Sequence, residues 1–175
     1  MSFNYLIIQG IGLVGTILFF LSFQCRSNKN LFRVQFGSYF CYMTHLMLLG
    51  ASTGGISYVL NLIRSMFLGS KWDWAKSKWM CVVICLLQCV VLGVTWSGWI
   101  SILPVVGNIA STIAGYTNNA KKIRSAGMFI NSALWIIYDI IVGSWAGILD
   151  EVVTEVSILI SIYRYGWNNL DEINE

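Results

Sequence analysis

The chain has 175 residues, of which 57% are hydrophobic and 11% charged, with a formal net charge of +3 and a mean hydropathy of +0.68. A soluble globule of this length carries roughly 25% charged residues, so the composition excludes that class and points to an integral membrane protein. All eleven Lys and Arg residues cluster at alternate connections between apolar runs; topology explains them, and no nucleic-acid partner is implied.

A helix needs about 20 residues to cross a hydrocarbon core of about 30 Å, and the apolar runs predict seven spans, near residues 4–24, 32–50, 52–69, 79–95, 98–117, 124–143 and 146–166. Met1 to Cys25 carries no charge. It lacks the basic n-region and the cleavage site of a secretory signal, so the first span is expected to be retained. Arg26, Lys29 and Arg33 follow it. The charge-free stretch from Val34 to Ile63 is too long for one helix and breaks at Ala51-Ser52-Thr53-Gly54-Gly55. Arg64, Lys71, Lys76 and Lys78 surround the end of the third span. Trp79 to Ala120 splits at Trp96-Ser97-Gly98, Lys121, Lys122 and Arg124 follow the fifth span, and Arg164 ends the seventh. Short loops rich in Lys and Arg stay in the cytoplasm, which places the amino terminus outside and the carboxyl terminus inside. Asp73, Asp171, Glu172 and Glu175 are the acids on that inner side.

Trp72, Trp74, Trp79, Trp96, Trp99, Trp145 and Trp167 fall at or near span ends, where indole rings favour the interface. Trp135 lies within a span. Cys81, Cys85 and Cys89 recur at helical spacing without a His or acid partner, a packing pattern rather than a metal site.

Shifting the chain by 93 residues aligns Phe23 to Ser65 with Tyr116 to Ile158, with identities at Lys29/Lys122, Phe36/Phe129, Gly50/Gly143, Gly54/Gly147 and Val59/Val152. The odd fourth helix between the halves gives both the same orientation, a parallel repeat about an axis along the membrane normal. The expected fold is therefore all-α and integral to the membrane, with two parallel three-helix repeats joined by a linker helix in a 3+1+3 order. Residues 1–69 form the first repeat, 70–96 an amphipathic loop and the linker, 97–166 the second repeat and 167–175 a cytoplasmic tail.

Polar and aromatic stripes recur with the repeat. Ser38, Tyr42 and His45 correspond to Asn131, Trp135 and Tyr138, and Ser57, Asn61 and Arg64 to Asp150, Thr154 and Ser157, each at i, i+4, i+7. Such positions share one helix face, and polar groups in hydrocarbon face the bundle interior or water. Two facing sets would line a central cavity.

The motifs "LNLIRSMF" at Leu60 to Phe67, "LPVVGNIAST" at Leu103 to Thr112 and "VGSWAG" at Val142 to Gly147, followed by Glu151, resemble those of the YgjV-type bacterial inner membrane proteins over nearly the whole chain. The 3+1+3 order resembles the wider SWEET and PnuC-like transporter superfamily. That resemblance implies a pocket built from the second and third helices of each unit: Tyr42, His45 and Asn61 in the first, Trp135, Tyr138 and Thr154 in the second. Pro104 is the chain's only proline, so the hinge prolines expected of a SWEET are missing.

At 1.5 Å per residue, Glu155 lies roughly 15 Å inward of Trp145, and Trp135 roughly 16 Å from Arg124, both near the midplane. Glu151 and Glu155 can exchange protons, read a cationic solute, or pair structurally with Arg64. Trp135 is either a stacking platform or packing; His45 is a gating group or a hydrogen-bonded core residue. Asp139 and Asp150 are expected at a solvated rim, and Asn108, Ser111 and Thr112 are expected to satisfy carbonyls across a kink after Pro104. No phosphate loop, paired metal ligands or nucleophile–base pair occurs, so neither enzyme activity nor a metal or cofactor is expected. The function read from the sequence is transport of a polar metabolite (a sugar, nucleoside, vitamin precursor or amine) across a bacterial inner membrane, with self-association left open. The alternative is a non-transporting receptor or scaffold built on the same bundle.

Overall fold

The computed structural model describes residues 3–167, and no strand occurs among them. Of the expected cytoplasmic tail, residues 168–175, with Asp171, Glu172 and Glu175, lie outside the described residues. The helices are α1 (Phe3–Phe23), α2 (Asn28–Leu48), α3 (Ser52–Gly69), α4 (Lys78–Val94), α5 (Ile102–Tyr116), α6 (Ala120–Ala126), α7 (Ser132–Val142) and α8 (Trp145–Tyr165). A π turn, Gly127–Asn131, joins α6 to α7 as one helix, Ala120–Val142.

Their starts are written in short polar side chains. Ser27, Ser77, Asn119 and Ser144 each accept a backbone N–H of the first turn of α2, α4, α6 and α8, satisfying donors that a helix start leaves unpaired. Gly50 and Gly143 end α2 and α7 in the left-handed region, at φ 76° and 72°, where glycine has no Cβ penalty. Because Ser27 caps α2, the expected basic loop is largely helix: Lys29 and Arg33 stand in its first two turns, and Arg33 Nε donates to Gly69 O at 3.0 Å. Pro104 sits in α5, one turn after the 3-10 turn Trp99–Ser101 that leads into it.

Asn4–Phe23, Trp99–Tyr116 and Ala120–Val142 are long and apolar enough to cross a membrane by length and composition, and Lys78–Val94 is a shorter apolar helix. The remaining helices, α2, α3 and α8, have 21, 18 and 21 residues, but polar side chains lower their hydropathy. Those side chains point inward: Ser38 and His45 on α2, Asn61 and Arg64 on α3, and Asp150, Glu151 and Thr154 on α8 are all buried. Phe40, Met66 and Leu159, from the same three helices, face outward. Polar groups inside and apolar groups outside is the distribution a lipid solvent demands.

Packing closes the helices into a ring. α1 lies between α2 and α8, α2 packs on α3, α3 on α5, α5 on α7 and α7 on α8, while α4 sits outside against α3 and α5. At one end, the basic end, Asn28 Nδ2 donates to Asn118 O and Tyr116 Oη to Ala75 O. At the other, the glycine-turn end, Tyr5 Oη donates to Gly143 O and Thr53 Oγ1 to Thr95 O.

The π turn corrects the gap-free match at 93 residues. Before it, capping Ser27 and Asn119 and the buried pairs Leu31/Ile123 and Phe32/Arg124 stand 92 residues apart. After it, the buried pairs Tyr42/Trp135, His45/Tyr138 and Leu46/Asp139 stand 93 apart. The second segment holds one extra residue, and the wider turn absorbs it without breaking the helix.

Gly54 marks a close approach of α3 to α2 and α7. Its N–H donates to Tyr138 Oη at 3.0 Å, and a Cβ there would lie 2.8 Å from Tyr138 Cε1 and 2.9 Å from Leu46 Cδ1. Gly54→Ala is expected to cost about 1–3 kcal/mol through overpacking, read as a lower melting temperature in detergent. Gly10→Ala, in the interior of α1 with nothing within 4 Å of its Cβ, is the control that should not lower it, since alanine favours a helix over glycine.

Candidate functional site

The polar stripes converge as expected, but they separate into two layers with different geometry. Toward the basic end they surround a chamber of about 40 Å³, lined by Asn61 and Arg64 of α3, Asn108 of α5, Trp135 of α7, and Asp150, Glu151 and Thr154 of α8. That volume admits a few waters. Toward the glycine-turn end the side chains close on one another.

The chamber is unusual in how many polar atoms it leaves unanswered. Asn61 Nδ2 donates to Asn108 Oδ1 at 2.9 Å, which joins α3 to α5 while Asn61 Oδ1 and Asn108 Nδ2 keep no partner. Asp150 Oδ1, Thr154 Oγ1 and Arg64 Nε are likewise buried and unbonded. The ion pair of Arg64 with Glu151 or Glu155, one of the alternatives open from the sequence, does not form among the described residues. Arg64 donates instead to Tyr39 Oη at 2.7 Å and Thr112 Oγ1 at 3.2 Å, with its guanidinium 5.5 Å from the Tyr39 ring centre. The hydroxyls lie on α2 and α5, within reach of the α3 cation, whereas the acids belong to the α8 wall.

An aromatic stack fills the middle of the ring. Tyr42 stacks on Tyr58 at 5.6 Å, Tyr58 meets Trp135 at 4.8 Å, and Trp135 meets Tyr138 edge-on at 5.5 Å. Gly107 lies against its edge: a Cβ there would meet Trp135 Cδ1 at 3.4 Å, an ordinary contact.

The closed layer ties the start of α8 to α1 and α2. His45 sets its Nδ1 2.8 Å from Ile8 O and its Nε2 2.8 Å from Ser144 Oγ. A carbonyl only accepts, so Nδ1 carries the proton that Ile8 O receives, and Nε2 faces the Ser144 hydroxyl. Tyr42 Oη lies 2.6 Å from Thr16 Oγ1 and 3.2 Å from Ala146 O. Gln9 Oε1 accepts from Ala146 N at 2.8 Å. Asp139 is buried here, against Ser144 and Gly147.

Of the six predicted binding residues, Asn61, Trp135 and Thr154 line the chamber. Tyr42, His45 and Tyr138 belong to the stack and the closed layer. Of the charged set, Arg64 and Glu151 line it, whereas Glu155 is half-buried on the next turn of α8. Asp139 and Asp150 are only 3% exposed, so the expected solvated rim is wrong for both: α7 turns Asp139, and α8 turns Asp150, into the ring rather than along its edge. Thr112 Oγ1 does bond a carbonyl, that of Asn108, at 2.7 Å. Tyr58, Tyr39 and Asn108 were not among the predicted binding residues, although Tyr58 stands three residues before Asn61 on the same helix face.

Residues 6–169 match the Imp-YgjV family of bacterial inner membrane proteins. The inner membrane protein YgjV of Escherichia coli (strain K12) is 26% identical over 157 residues, which cover 89% of this chain and 80% of that protein. No solved structure matches the chain. The match takes in every helix of the ring together with the chamber, and its apolar exterior suits the same location: the chain belongs to the YgjV family, as a multi-pass protein of the bacterial inner membrane.

Proposed function

We propose that the chain is a small-solute transporter. In this reading Ala120–Val142 counts as one span and seven helices cross the membrane in a 3+1+3 order similar to that of SWEET and PnuC-like carriers, with the amino terminus outside and the carboxyl terminus in the cytoplasm. The observation that carries it is the chamber with its unanswered polar atoms on α3, α5 and α8. A buried polar atom without a partner costs about 1–3 kcal/mol, so several around one cavity are an expense that packing does not explain and a polar solute does. Supporting the architecture are the closed ring with α4 outside it and the recurrence of caps and buried positions at 92 and 93 residues.

At about 40 Å³ the chamber is too small for a metabolite, so admitting one requires the two three-helix units to rock apart. The stack and the His45–Ser144 layer act as the gate at the glycine-turn end. Asn61, Asn108 and Thr154 bond the cargo, while Arg64, Asp150 and Glu151 read its charge. A sugar, nucleoside, vitamin precursor or amine fits these groups, and the acids favour a cationic or proton-coupled cargo. The protein has no catalytic role in this reading. The rival reading, a receptor or scaffold, draws on the aromatic stack that fills the centre.

Cysteine accessibility separates the two. After the native Cys25, Cys41, Cys81, Cys85 and Cys89, all unpaired, are replaced, cysteines at Asn61 and Thr154 are expected to react with small polar thiol reagents in membranes. Silence at both positions, in a protein that keeps its melting temperature, would favour the scaffold. A thermal-shift screen over the same solute classes then names the cargo, since a ligand that binds only the folded state raises its apparent stability.

A further inference from the structure

A second cavity, of about 460 Å³, opens at the basic end between the start of α2, the ends of α3 and α5, and the turn into α6. Lys29, Arg33 and Lys76 line it, with the side chains of Asn28 and Asn118, and among the described residues no carboxylate does. Asp73, the acid of the neighbouring loop, is exposed and not part of the lining. Topology explains why these cations lie on one side of the membrane. It does not explain why α2 and a loop some forty residues later bring three of them to one pocket.

The pocket is built rather than incidental. Asn28 is buried, and its Nδ2 donates to Asn118 O at 3.0 Å and Asn118 Oδ1 at 3.3 Å. Asn118 itself has a left-handed backbone, φ 49°, a conformation asparagine tolerates better than most residues. Arg33 is anchored through Nε on Gly69 O, which leaves the rest of its guanidinium for the cavity.

We propose that this pocket binds a phosphate-bearing anion, held by Lys29, Arg33 and Lys76. A bare phosphate would leave most of the volume empty, while a phospholipid headgroup with its glycerol would fill it. Beside it Trp72 and Trp74 are exposed and stack at 5.9 Å, and Phe67 meets Trp74 edge-on at 5.4 Å. Exposed indoles of this kind sit at headgroup depth, where basic pockets between membrane helices take anionic headgroups. The inference stands whether or not the chain transports a solute.

The test uses the full chain in neutral detergent with three probes: short-chain phosphatidylglycerol, phosphatidylcholine with the same acyl chains, and glycerol phosphate. Phosphatidylglycerol is expected to raise the melting temperature and appear bound in native mass spectra; phosphatidylcholine should do neither. Its apparent affinity should fall on the order of tenfold or more in the double variant K29Q/K76Q and with added salt, and recover in K29R/K76R. Lys29 is half-buried and Lys76 exposed, so the ligand-free melting temperature should not move and verifies folding. Equal stabilisation by glycerol phosphate keeps the anion site and assigns it to a soluble phosphate. Equal stabilisation by phosphatidylcholine, or undiminished binding in K29Q/K76Q, would overturn the proposal.

Discussion

Trp135→Ala is expected to cost about 3 kcal/mol or more of folding free energy, at the level of large aromatic truncations in well-packed cores. The indole is 1% exposed, with Tyr58 at 4.8 Å and Tyr138 at 5.5 Å, and its edge rests on Gly107. Helix association in a bilayer gains little from hiding apolar surface, because lipid tails are apolar too; it depends on dispersion contacts and fit. Deleting the indole removes those contacts outright and joins the void to the chamber. Trp135→Phe keeps a ring between the two tyrosines and should lose less. Reversible unfolding in mixed micelles reads both variants. The sequence left two roles open for this residue, platform or packing, and this measurement divides them. A Trp135→Ala protein as stable as the parent would mean that the ring is held for a ligand rather than for the bundle.

That ambiguity shows where the sequence stops. Axial information was legible: α3 occupies Ser52–Gly69, as the apolar run predicts, and the glycine turn ends α2 where a charge-free stretch was too long for one helix. The stripes named buried faces because period and polarity are local properties of a helix. Partners were not legible. His45 is bonded to a serine 99 residues away and Arg64 to a threonine 48 residues away, and no local period says which neighbour in the ring presents an acceptor. Depth along one axis also misled. Asp150 shares its stripe with Thr154, yet a rise counted from the helix end placed it at a wet rim, since such a count knows nothing of what covers that end. The one-residue slip at the π turn escaped a gap-free comparison because its two registers differ by a single position and Lys121 beside Lys122 preserves a basic match in either.

Arg64 tests whether the chamber is kept for a ligand or for the fold. Arg64→Met is expected to leave the melting temperature unchanged or higher while abolishing stabilisation by whichever solute the screen identifies. A buried cation has been drawn out of water at considerable cost, and an apolar side chain of similar volume often replaces buried charge with no loss, or with a gain. Here the compensation is thin: two hydroxyls, a ring face, and an Nε without a partner. Methionine would also leave Tyr39 satisfied, because its hydroxyl already lies 3.3 Å from Gln35 Oε1 as a donor. Tyr39→Phe is the opposite experiment. It keeps the charge and deletes its shorter bond, so it should lower stability by about 1–3 kcal/mol. If Arg64→Met melts well below the parent, the guanidinium is a strut between α2, α3 and α5 and the proposed site loses its cation. If Arg64→Met holds while Tyr39→Phe falls, the protein carries a destabilising charge that its fold does not need, which leaves recognition of cargo as the reason for keeping it.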